Sequence, residues 1–141
     1  MKILVLTGEP ITASDLRSAL PAGVDPHECE VRVVAPALHR TALQFWVSDA
    51  DEAITKADAV RRQSERQLDD EDVPVASETG DSDPLEAIAD ALREFDAERI
   101  VVIVGRESQQ RYRGDPDPSE IAERFRIPVD RATVARSEAK A

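Results

Sequence analysis

Five short apolar runs, rich in β-branched residues, punctuate the chain: "KILVLT" (2–7), "EVRVVA" (30–35), "VPVASE" (73–78), "RIVVIV" (99–104) and "PVDRATVA" (128–135). The first and fourth are continuous rather than alternating. That is the pattern of strands covered on both faces, as in a parallel sheet packed between helices. Between the runs, apolar positions recur at helical spacing. "TASDLRSAL" offers Thr12 or Ser14 as N-cap and sets Leu16 and Leu20 one turn apart. A longer helix is expected from Ser48 through "SDADEAITKADAVRRQSERQL", with acids at 49, 51 and 52 near its positive end. Its apolar stripe is Ala50, Ala53, Ile54, Ala57, Val60 and Leu68.

Two further helices share one start signal. Asp83 and Asp117 stand at N-cap, Pro84 and Pro118 at the first helical position, and Glu86 and Glu120 two places on. The Asp accepts from free backbone N–H groups, Pro has no N–H to leave unpaired, and the Glu reaches back to the cap. The third helix is expected to bury Leu85, Ile88, Ala89, Leu92 and Phe95, and the short fourth Ile121, Ala122 and Phe125. The order is β-α-β-α-β-α-β-α-β, without repeats or an internal linker. Such alternation favours an open, mostly parallel sheet with about four helices on both faces and right-handed crossovers. The expectation is one Rossmann-like α/β domain over residues 1–135, with a disordered tail at 136–141.

Composition narrows the function. At 141 residues the chain fits a single domain with one buried core. Its apolar share of 41% and charged share of 33% are ordinary for a soluble protein. No apolar run approaches the ~20 residues of a membrane span. The apolar part of "MKILVLTGEP" is too short for a secretion signal and carries no small-residue cleavage site, so a cytoplasmic location is expected. The formal net charge of −11, with four consecutive acids at 69–72, argues against nucleic acid and anionic lipid as partners. The lone Cys29 excludes an intramolecular disulfide framework. With His27 but no CxxC or HxxxH partner, it reads as a partly buried thiol rather than a metal ligand.

"GDSDPLEAIADALREFDAERIVVIV" (80–104) resembles the universal stress protein superfamily, in which a Gly-led turn, a helix rich in Ala and Ile, and a "D-x-I-V-hydrophobic" strand recur. "VRVVAPAL" (31–38) before a long, acid-started helix and the ending "IAERFRIPVDRATV" are similar to it as well, so the likeness spans roughly residues 2–135. The resemblance implies a five-stranded parallel sheet in the order 3-2-1-4-5 and homodimers built on the last strand (128–135). That order implies a topological switch point between the first and fourth strands, where open α/β sheets bind ligands at their carboxyl ends. The loops leaving those strands are "TGEP" (7–10) and "GRESQQRYRG" (105–114).

ATP-binding members of that superfamily carry G-x2-G-x9-G-[ST] after the fourth strand, where backbone N–H groups approach the phosphates. Gly105 stands for the first glycine, but the second position is Ser108, the third is Pro118 followed by Ser119, and Gly114 is out of register. The usual ATP motif is mostly lost. An Asp normally follows the first strand, and here Thr7, Gly8 and Glu9 stand instead. Arg106, Arg111 and Arg113 can hold a phosphate through bidentate, charge-assisted hydrogen bonds, but exposed charge runs more often form a solvated face, here paired with Glu107, Asp115 and Asp117. Ala35 and Pro36 end the second strand and can flank an adenine-sized group. Tyr112 can stack on a base or pack over the sheet edge. The candidate ligand site is therefore Thr7, Gly8, Glu9, Ala35, Gly105, Arg106, Ser108, Arg111, Arg113 and Gly114, and its candidate ligand an ATP- or AMP-type nucleotide or another anion.

Catalytic signals are thin. His39 follows a strand end but has no identifiable nucleophile, and helix capping accounts for "TGDSDP" around Asp81 and Ser82. Phe45 and Trp46 read as core or interface anchors. The expectation is a non-catalytic regulatory or binding module. The alternative is a protein-interaction module with a decayed pocket, docking through "QFW" (44–46) or the last strand. A small hydrolase-type enzyme using His39 or Glu9 ranks third.

Overall fold

A computed structural model describes residues 1–36, 50–80, 84–105 and 118–134. Among these, five strands form one all-parallel sheet: β1 (Lys2–Thr7), β2 (Glu30–Pro36), β3 (Val75–Gly80), β4 (Arg99–Gly105) and β5 (Val129–Val134). Their spatial order is β3-β2-β1-β4-β5. Four helices alternate with them: α1 (Ala13–Ala19), α2 (Ala50–Asp70), α3 (Pro84–Leu92) and α4 (Pro118–Phe125). The chain is thus an α/β, Rossmann-like domain. No helix among the described residues is long and apolar enough to cross a membrane.

Strand alternation divides the core into two layers. Ile3, Val5, Val31, Val33, Val101 and Ile103 point to one face, where Leu16 of α1 and Leu68 of α2 cover them. Leu4, Leu6, Val34, Ile100 and Val102 point to the other, under Ile88 and Ala91 of α3 and Ile121 of α4. This explains the continuous runs of β1 and β4, since both faces of these central strands are dry. Each fully buried Leu, Ile or Val contributes roughly 1.5–3 kcal/mol before the entropy of ordering is subtracted.

Local signals set the helix ends. Thr12 caps α1: its side chain accepts from the Asp15 N–H at 3.2 Å, while Asp15 accepts from the Thr12 N–H at 3.0 Å. At the other end of α2 no glycine is present. Asp72 adopts φ 63°, the Val73 N–H reaches back to the Leu68 carbonyl at 3.0 Å, and Val73 and Leu68 are both buried in one cluster. That is a Schellman-type ending with aspartate at the left-handed position.

Two stripe expectations are corrected. Ile54 is 51% exposed, while Ala57, Val60 and Leu68 are buried as expected and Ser64 joins them, so the buried line passes through a serine; the side chains of Ala50 and Ala53 lie outside the described ones. In α3, Ala87, Ile88 and Ala91 are buried, with Phe95 just beyond the helix, while Leu85, Ala89 and Leu92 are only partly covered. Small residues take the central line because the helix lies close on the sheet. A Cβ on Gly80, the last residue of β3, would stand 2.7 Å from Ala87 Cβ and 2.9 Å from Val34 Cγ1. The expected caps at Ser48, Asp83 and Asp117, and the tail at 136–141, lie outside the described residues.

Candidate functional site

The carboxyl edge of the sheet is notched at its centre. Strand β1 makes its last pair with β2 at Leu6↔Val34 and with β4 at Thr7↔Ile103. Strand β2 continues through Ala35 and Pro36, paired only with Thr79 and Gly80 of β3. Strand β4 likewise continues through Val104 and Gly105, paired with Thr133 and Val134 of β5. Each overshoots its last β1 partner by two residues, about 6–7 Å at the usual rise per residue. The last two residues of β2 and of β4 thus flank the end of β1 without a β1 partner on their inner edges. This is the geometry of a switch point.

The floor of the notch is a fixed loop. Thr7, 1% exposed, donates its hydroxyl to the Glu9 carbonyl at 2.7 Å and accepts from the Glu9 N–H at 3.1 Å. Its hydroxyl shapes the turn rather than facing a ligand. Gly8 is half-buried at the tip, and Glu9 is 4% exposed. Two residues later, α2 clamps the chain at Ile11. The Ile11 N–H donates to Ser64 Oγ at 3.1 Å, and its carbonyl accepts from Gln67 Nε2 at 2.7 Å. Ala35 packs on Ala57 and Val60, which closes the β2 side.

Five expected site residues, Thr7, Gly8, Glu9, Ala35 and Gly105, therefore meet at one edge. Arg106, Ser108, Arg111, Arg113 and Gly114 lie outside the described residues, as do His39, Phe45, Trp46, Asp81, Ser82 and Tyr112. Lys56 of α2 precedes Ala57, which packs on Ala35 at this edge. Its Nζ is buried and has no hydrogen-bond partner among the described residues. Eleven residues separate it from Gln67, which brings it round to within about 20° of the same side of the helix. It therefore stands on the side of α2 that faces the β1 loop, about 16 Å nearer the helix start. Helix periodicity alone marks Lys56 only as the flank of an apolar stripe. Its alignment with Gln67 gains meaning once Gln67 is seen to hold Ile11.

A second concavity, about 690 Å³, opens at the opposite, amino edge, with Lys2, Glu30, Arg32, Phe95 and Glu98 in its wall. There the Arg32 guanidinium lies 5.1 Å from the Phe95 ring centre and the Lys2 ammonium 5.8 Å from it. Arg32 also reaches Glu78 at 3.4 Å, although its Nε is buried without a partner. Its cations already lie on an aromatic face, and carboxylates share the wall, so charge there is largely balanced. Strand topology favours the carboxyl edge over this cleft. In open α/β sheets ligands bind at the carboxyl ends of the strands at such a switch point, so the carboxyl edge carries more weight.

Near that amino edge the Cys29 thiol donates to the Asp25 carbonyl at 3.3 Å, and burial pushes its pKa up, which makes it a poor nucleophile. Among the described residues no group of three His, Cys, Asp or Glu side chains gathers as metal ligands. No protein-family model matches the chain, and no curated protein matches its sequence.

Proposed function

We propose that this chain is a regulatory or binding module similar to universal stress proteins, without chemistry of its own. It binds an anionic ligand, foremost a nucleotide, at the carboxyl ends of β1 and β4. The observation that carries this reading is the strand register: β2 and β4 overshoot β1 by two residues on either side. The fixed Thr7–Glu9 turn supports it, since a preformed floor lowers the ordering cost of binding. The commitment of the Thr7 hydroxyl to its own turn supports a binding rather than a reacting role. In this reading the loop arginines Arg106, Arg111 and Arg113 replace the lost glycine cradle as phosphate holders. The module works as a cytoplasmic homodimer through β5, an edge strand whose outer side faces no other strand among the described residues.

The reading is tested by thermal denaturation with a panel of ATP, AMP, other nucleotides and adenosine. A nucleotide raises the melting temperature, and the double substitution Arg111→Ala, Arg113→Ala removes the rise. No shift with any nucleotide, in a protein that melts cooperatively, defeats it.

A further inference from the structure

A buried ammonium without a hydrogen-bond partner is costly, because the charge gives up water and gains nothing in return. Lys56 carries such a group, in the upper part of α2. Its neighbour Ala57 and, one turn on, Val60 pack against Ala35, which lies beyond the last β1–β2 pair. Lys56 shares its side of the helix with Gln67, which holds the backbone of Ile11 just after the Thr7–Glu9 turn. The helix thus fixes Lys56 at the level of the notch, on the flank towards β1. The cations on the opposite flank of α2 are differently placed. Arg61 is engaged by Asp58 at 2.8 Å and by Ser77 at 3.3 Å, and Arg62 by Asp58 at 2.9 Å.

We propose that Lys56 is the anion anchor of the carboxyl-edge site, holding a phosphate group of the bound nucleotide. This rests on the reading of that edge as a ligand site. A compact ammonium with three donors suits a phosphate oxygen approached from the side, whereas an arginine fork suits a planar, bidentate approach. The phosphate supplies the partner that the Lys56 Nζ lacks among the described residues.

The test uses calorimetric titration of the full chain with AMP, ATP, adenosine and inorganic phosphate, on wild type, Lys56→Met and Lys56→Arg. The expected result is roughly tenfold or greater weakening of AMP and ATP by Lys56→Met, the size of one charge-assisted contact, with adenosine unaffected and partial rescue by Lys56→Arg. The ligand-free Lys56→Met protein should also melt no lower than wild type, because the substitution removes an unpaired buried charge. If wild type binds AMP and Lys56→Met binds it equally well, or loses adenosine to the same extent, the assignment of Lys56 is overturned while the site stands. A lower melting temperature for ligand-free Lys56→Met overturns it too, since the lysine then serves the fold. If wild type binds none of the four, the site reading and the assignment both fall.

Discussion

One oxygen of Asp25 accepts both the backbone N–H and the ring Nδ1 of His27, each at 3.0 Å. The backbone bond is the main reason the Asp25 carboxyl sits below its ordinary value of 3.8, with the ring bond second. The Asp25 hydrogen bond in turn raises His27 above its ordinary 6.5 against the opposing effect of burial, and the Glu71 carbonyl adds to the rise. A raised histidine stabilises fully below its unfolded pKa and loses that contribution as pH climbs through the folded one. A lowered aspartate contributes above its unfolded pKa and loses it as pH falls. The pair therefore helps most between about pH 4 and 6.5. The expectation is that His27→Asn lowers the melting temperature at about pH 5.5 and has a smaller effect near pH 8.5. An equal effect at both pH values would show that the pair's charge is irrelevant. At this scale the sequence was partly legible. The Thr12 cap can be read from residue types, because a cap is made within four residues. The inward place of Ser64 cannot, since it depends on Ile11, far away in the chain.

Elements are joined where small residues permit it. Gly80 ends β3 beneath α3, and its missing side chain lets Ala87 and Val34 approach. Both neighbours that an added methyl would meet are short and anchored, so neither can swing away. Gly80→Ala is therefore expected to cost about 1–3 kcal/mol, the usual range for overpacking, seen as a lower urea midpoint with an unchanged slope. An unaffected midpoint would mean that α3 does not sit on the sheet as described. The "Gly-led turn" of the sequence is thus a close approach between a strand and the helix that follows it. Strand positions followed directly from the apolar runs, with β1 read to the residue and β3 displaced by two, because Pro74 precedes the first paired residue rather than joining the strand. Helix faces were read less well. Ile54 fits a 3.6-residue period, yet it falls on the outer flank of α2, beyond the covered stripe.

For the whole molecule, alternation of strands and helices was enough to give the layered α/β class, since each amphipathic helix must cover a sheet face. The strand order came from the resemblance rather than from periodicity, which carries no information about which strands are neighbours. The notch was legible only through that order. Thr7 ends β1 and Ala35 lies near the end of β2, as the apolar runs implied, while Lys56 stands on a helix that had been read for its apolar stripe alone. The central claim, that this edge rather than the amino-edge cleft receives the ligand, is tested most directly by mapping amide chemical shifts of the full chain during titration with AMP and ATP. The account predicts changes concentrated at Thr7, Gly8, Glu9, Ala35, Lys56 and Gly105. Changes gathered instead around Lys2, Arg32 and Phe95, or none with either nucleotide, would contradict it.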